Sequence, residues 1–232
     1  SICIDLKSDE GRQLVLELAP RFDVVAENFK AGGLARLGLG YDDIAAVHPG
    51  VVYLSVSGFG NTTDSPYKDR PAFAAIVEAM SGIYDYQARN DKAPQASPVG
   101  ALGDISAALF GAIGVLAAAM HARDTGNGQV VDAAIVDGSA HMMNLLLSLK
   151  AAGQVASIRG CSILDGPHWY STYRCADGNF ISVGSLEPKF YALLCKKLGL
   201  AGDSSFDDGY DRDAWPELKQ RFSEIFAMRT RE

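Results

Sequence analysis

The apolar positions of this chain fall into short segments of two periods. Residues 2–6, ICIDL, alternate like a short strand; 23–28, DVVAEN, and 51–60, VVYLSVSGFG, predict two more. Between the first two lies 8–22, SDEGRQLVLELAPRF, which predicts a helix. Ser8 serves as its N-cap, Asp9 and Glu10 fill the first turn, and Leu14, Leu16 and Leu18 supply the apolar side. Residues 33–39, GLARLGL, and 41–48, YDDIAAVH, predict short helices. The resulting β-α-β-α-β alternation predicts an α/β fold, a Rossmann-like, doubly wound parallel sheet with right-handed crossovers. Ligands of such sheets sit beyond the carboxyl ends of the strands. Two loops should fall there, ENFKAGG after the second strand and SGFGNTT after the third.

Further along, 71–80, PAFAAIVEAM, predicts a helix with a proline in its first turn, and 87–98, QARNDKAPQASP, a polar loop. A long apolar helix then runs to about residue 123, followed by a glycine-rich turn, a strand over 130–137 and another helix over 138–153. Residues 156–170, ASIRGCSILDGPHWY, have little periodicity and read as a linker. YSTYRCADGNFISVGS predicts a hairpin turning at Asp177 and Gly178, and 187–200 a helix. The expected organisation is a large domain over 1–150, a linker over 151–170, and the start of a smaller α+β domain over 171–232. The chain opens without Met in strand-like SICIDL and stops in charged AMRTRE, which reads as a piece of a longer protein.

Composition narrows the function classes. Hydrophobic residues make up 48% of the 232, enough for a packed core, and the net charge of −7 with no basic run argues against nucleic acid as a partner. Cys3, Cys161, Cys175 and Cys195 lie far apart with no C-x-x-C spacing, so they read as reduced thiols of a cytoplasmic protein with no zinc site. The stretch ISAALFGAIGVLAAAM is shorter than the roughly 20 residues a bilayer needs and is rich in Ala and Gly; it reads as a buried core helix, with no membrane as partner.

Candidate chemistry is sparse. The first loop carries Asn28, Phe29 and Lys30, with Arg36 one turn later; Gly32 and Gly33 allow close backbone approach to an anion, although the two cations would equally serve as solvated surface charges. His48, His121 and His141 read as core or surface residues. His168, in the linker, is the histidine to watch, although a structural role is its favoured reading. Asp104 differs in kind. Gly103 permits a tight turn before it, and the helix behind it favours negative charge at its amide end. An oriented carboxylate there can act as nucleophile or base, or can merely cap the helix.

Six blocks, ENFKAGGLARLGLGYDDI, GFG, DRPAFAAIVEAMSG, GDISAALFGAIGVLAA, RDTGNGQVVDAAIVDG and YRCADGNFISVGSLEPKF, occur in this order and together resemble the family III CoA-transferases, a group that also holds α-methylacyl-CoA racemase. The resemblance covers nearly the whole chain. It implies that an earlier strand and helix, and the rest of the small domain, are missing at the two ends. It implies that Asp104 is the catalytic carboxylate, attacking an acyl-CoA thioester and passing through an aspartyl-CoA thioester before a carboxylic acid takes the CoA. It further implies that Asn28, Phe29, Lys30, Gly33 and Arg36, with Arg70 as a weaker candidate, hold the CoA, and that Gly103, Phe73 and Glu187 lie at the substrate pocket; His168 is added there only as a candidate substitute base, with no motif placing it. Coenzyme A enters as substrate, with no tightly bound cofactor or metal, and the expected assembly is an intertwined homodimer.

The racemase branch pairs the aspartate with a histidine base, and Phe73 stands at that position here; phenylalanine moves no proton. The C-terminal block, with Glu187, is closer to racemases, although Glu187 and Pro188 also form an ordinary helix start. The missing base weighs more, so transferase is the expected activity, with racemase and a non-catalytic CoA-binding protein as alternatives.

Overall fold

The computed structural model describes residues 1–87 and 101–232, so the loop expected over 87–98 falls, apart from Gln87, outside the described residues. Helix α1 (Asp9–Leu18) starts where the sequence places it: the Ser8 hydroxyl accepts the Gly11 N–H, and Asp9 and Glu10 face the positive helix end. Strand β1 (Val24–Glu27), helix α2 (Tyr41–Val47) and strand β2 (Val52–Ser57) follow. ICIDL forms no strand. A strand needs a ladder partner; here the chain turns instead, with the Ser8 N–H bonded to the Asp5 carbonyl at 3.2 Å.

Strand β3 (Gln129–Ala134) completes a parallel sheet of order β1-β2-β3. Its register places Ser57 opposite Ala134, so β3 loses its partner there and cannot reach the expected residue 137. The chain turns directly into α6 (Ile135–Met142), whose Val136 N–H bonds the Gly58 carbonyl, and α7 (Asn144–Ala151) follows after a break at Met143. Side chains cover both faces of the sheet. Val25 and Tyr53 pack with Ala19 and Ile44 below α1 and α2, and Val56 packs on the opposite side with Phe59, Val77, Ala107 and Ile135.

Helix α3 (Ala74–Ser81) begins three residues later than expected. Residues before it stay extended, with Phe73 at φ −126°, because Ala72 is pressed against Gly58, where an added Cβ would stand 2.0 Å away. After the short α4 (Ile83–Gln87) comes α5 (Leu102–Thr125), the longest element. Its buried residues are small, among them Gly103, Ser106, Ala107, Gly111 and Ala118. A Cβ on Gly114 would lie 2.6 Å from Val131, so α5 reaches β3 only because that position has no side chain. The expectation of a buried core helix is corrected: only this face is covered, and Ile105, Leu109, Ile113, Leu116 and Met120 are each more than half exposed.

The described residues fall into two compact units, Ser1–Gln87 with 101–144, and Leu145–Glu232. The second unit contains the antiparallel hairpin β4 (Tyr170–Arg174) and β5 (Phe180–Gly184), then α8 (Pro188–Leu198) and α9 (Trp215–Ala227). Its core is aromatic: Trp169, Tyr173, Tyr191, Phe206, Trp215, Phe222 and Phe226 are buried together. Both indole N–H groups, of Trp169 and Trp215, donate to the Gly209 carbonyl at 2.6 and 2.9 Å. The stretch read as a linker contributes to this core, since Pro167, His168 and Trp169 are fully buried. Irregular backbone hid that role from periodicity. All four cysteines are free.

Burial, and secondarily the Lys219 charge, lowers the pKa of His168 from 6.5 to about 4. The unfolded chain therefore takes the proton first. Stability should be full above about pH 6.5, fall as the pH drops toward 4, and then level off with respect to this group. Melting curves from pH 8 to 4 test this. A His168→Gln variant should show a shallower decline, and an identical decline would show that His168 is not responsible.

Candidate active site

The first turn of α5 is held from three sides. Glu78 of α3, 1% exposed, accepts the Gly103 N–H at Oε1 (3.0 Å) and the Tyr84 hydroxyl at Oε2 (2.8 Å). The Ser106 hydroxyl donates to the Gly103 carbonyl at 2.8 Å. A Cβ on Gly103 would fall 2.7 Å from Ile135 and 2.8 Å from the Ser139 hydroxyl, so this glycine lets α5 and α6 touch. Ile135 opens α6 directly after β3, which places the start of α5 at the carboxyl end of the sheet. Ala101, just before the helix, adopts φ +67°, a left-handed conformation that L-alanine avoids.

Asp104 is the third residue of α5, beyond the N-cap position that Ala101 occupies. It is exposed, and among the described residues none hydrogen-bonds its carboxyl group. Its side chain is not the cap; Glu78 takes a first-turn N–H instead. What remains is a carboxyl group at the positive end of a 24-residue helix, open to solvent and held on a rigid turn.

The two loops after β1 and β2 meet. The Gly32 N–H donates to Asn61 Oδ1 at 2.9 Å, and the Asn61 amide donates to the Ser55 hydroxyl, which in turn donates to Glu27. Glu27 also accepts the Phe29 N–H at 2.7 Å. From β3, Asp132 accepts the backbone N–H groups of Asn61 and Thr62 and the Thr62 hydroxyl. Beside this network opens a cavity of about 320 Å³, whose lining includes Glu27, Gly32, Tyr41, Tyr53, Asn61 and Thr62. Burial, then the nearby carboxyl groups of Glu27 and Asp43, pushes the Tyr53 phenol up to about 12, so it stays a donor, to the Leu39 carbonyl.

None of the expected CoA-binding residues, Asn28, Phe29, Lys30, Gly33, Arg36 and Arg70, lines the cavity. Asn28, Phe29, Lys30, Arg36 and Arg70 are exposed, and Gly33 closes a tight turn on the Lys30 carbonyl at 2.7 Å. The Arg70 guanidinium lies 4.7 Å from the Tyr67 ring centre. Phe73 is 73% exposed at the start of α3. In the second unit, Glu187 stands at the N-cap of α8 and pairs with Lys189 at 3.1 Å. His168 shows no surface at all; its Nε2 meets the Tyr191 hydroxyl at 2.9 Å, edge-on to Phe206 and Phe222. Of the two readings of His168 the structural one fits this burial, and it is corrected from pocket residue to core residue. No cluster of metal-ligating side chains occurs among the described residues.

Sequence reasoning missed Glu78, Asn61 and Asp132. Glu78 had a signal: it is the one acid in the apolar run AAIVEAM. Asn61 and Asp132 had none, since their roles exist only once the loops close over β3.

The family model for CoA-transferase family III matches residues 1–232. Human alpha-methylacyl-CoA racemase is 34% identical over 233 residues, covering 100% of this chain and 60% of that protein. The succinyl-CoA–D-citramalate CoA-transferase of Chloroflexus aurantiacus is 36% identical over 210 residues, 89% of this chain and 51% of that enzyme. Among solved structures, a CAIB/BAIF family protein from Brucella suis is 30% identical with a TM-score of 0.81, covering 100% of this chain and 61% of that one. The chain thus spans little more than half the length of its curated relatives. Matched over every residue, and similar along its length to named enzymes of both branches, this chain belongs to CoA-transferase family III.

Proposed function

We propose that the protein moves CoA between an acyl-CoA donor and a carboxylic acid acceptor through a covalent intermediate on Asp104. The observation that carries this reading is the Asp104 carboxyl group itself, exposed and unpartnered among the described residues, on a turn fixed by Glu78, Ser106 and α6. Its carboxylate attacks the donor thioester carbonyl, the carbon–sulfur bond breaks, and CoA thiolate leaves a mixed anhydride behind. The thiolate then attacks the aspartyl carbonyl, expelling the donor's carboxylate and forming an aspartyl-CoA thioester. An acceptor carboxylate reverses these steps, takes the CoA and restores Asp104. Each exchange trades one carboxylate for another, so no external base or oxidant is needed. The positive end of α5 stabilises the oxyanions that form beside it.

The loop bearing Asn28, Phe29, Lys30, Gly33 and Arg36 receives the nucleotide and pyrophosphate, with Arg70 assisting. Lys30 and Arg36 supply positive charge at the carboxyl end of the sheet, and the cavity beside Asn61 offers polar contacts to uncharged parts of the ligand. Short mono- or dicarboxylic acids are the proposed acyl groups, and the cytoplasm the proposed compartment. A second copy of the chain is the proposed partner, because the exposed apolar stripe along α5 is longer than a monomer's scattered surface residues require. Sedimentation of the full chain should give a dimer, and a monomer at micromolar concentration would refute that assembly.

A racemase reading has its own support: similarity to human alpha-methylacyl-CoA racemase runs the whole chain, and Glu187 belongs to the block that favours that branch. Denaturing mass spectrometry after mixing with acyl-CoA separates the two. A transferase yields a hydroxylamine-sensitive CoA adduct that Asp104→Ala abolishes. A racemase forms no adduct and instead exchanges the α-hydrogen of a 2-methylacyl-CoA for deuterium, and that result would displace the transferase reading. In the transferase case, the double variant Lys30→Ala, Arg36→Ala should raise KM for acyl-CoA by about tenfold or more, the loss of charged hydrogen bonds, with kcat little changed. An unchanged KM would remove the loop from the binding site.

A further inference from the structure

We infer that Glu78 is a positioning residue for the Asp104 carboxyl group. This rests on the reading of Asp104 as the covalent nucleophile. Glu78 is among the most deeply buried side chains of its unit, at 1% exposure, and a carboxyl group is a costly choice for the middle of an apolar helix. No lysine or arginine pairs with it among the hydrogen bonds and ion pairs of the described residues; its two oxygens take the Gly103 N–H and the Tyr84 hydroxyl. The bond to Glu78 in turn raises the pKa of the Tyr84 phenol above its ordinary value, which keeps the phenol a donor. One side chain of α3 therefore joins α4 to the first turn of α5.

That turn needs holding. Ala101 enters it in a left-handed conformation, and such strain persists only where the surroundings over-determine it. With no side-chain cap from Ala101 itself, the Glu78 bond is what fixes the amide directly before Asp104. Ile135 and Ser139 block the turn from sliding toward α6, and Glu78 stops it from lifting away. Without Glu78, the Asp104 oxygens keep their chemistry and lose their aim.

The test measures adduct formation at saturating acyl-CoA in the full chain, with KM read separately. Glu78→Ala should slow adduct formation by about 100-fold, the scale expected for a misplacement of about 1 Å, with KM within about twofold of the unaltered protein. Glu78→Gln, which keeps an oxygen for the Gly103 N–H, should recover the rate to within about fivefold, one hydrogen bond's worth. A Glu78→Ala rate equal to the unaltered one, or a Glu78→Gln rate as slow as that of Glu78→Ala, overturns the inference. If Glu78→Ala does not fold, Tyr84→Phe decides: it should slow the step about fivefold at unchanged KM, and no slowing overturns the inference. Failure of the unaltered protein to form any adduct would instead sink the reading of Asp104, so the two failures are distinguishable.

Discussion

The site depends on how closely α5 approaches its neighbours. Its covered face is built from Gly103, Ser106, Ala107, Gly111, Gly114 and Ala118, and at Gly103 and Gly114 a single added carbon would collide with α6 or β3. Because α5 runs antiparallel to the strand it precedes, its amide end emerges where the strands present their carboxyl ends. The close packing then determines where Asp104 stands, and Glu78, Ser106 and Ile135 determine how its turn is oriented. The fold supplies location, and three side chains supply direction.

The same packing explains which parts of the structure could be read from the sequence. Elements specified by local chemistry were legible: the Ser8 cap, the alternation of β2, and the hairpin at Asp177 and Gly178. Elements that depend on distant partners were not. ICIDL has the composition of a strand and no ladder neighbour, β3 stops at Ala134 because β2 stops at Ser57, and α3 starts late because Ala72 lies against Gly58. Asp104 stood out in the sequence as the acid at the start of a long apolar helix, and the structure places it exposed in the first turn of α5; the buried acid that holds the turn was visible only as an oddity in an apolar run. The stretch around His168 misled, since an aperiodic segment resembles a linker until its side chains are seen to fill a core.

Within the family, relatives named as racemases and as CoA-transferases both match this chain along most of its length. Phe73 stands exposed where the racemase branch is expected to carry its base, while the open carboxyl group of Asp104 suits either branch. Identity to the two kinds of relative is nearly equal, 34% and 36%, so overall similarity does not choose between them.

The relay from Gly32 through Asn61 and Ser55 to Glu27, with Asp132 gripping the far side, makes the two loops a single body before any ligand arrives. Their conformational freedom has already been lost in folding. A molecule settling on one loop meets the other in its final position, and association requires little further ordering of the backbone. The edge of the sheet thus presents a preformed surface, with Asn61 as the residue that couples one loop to the other.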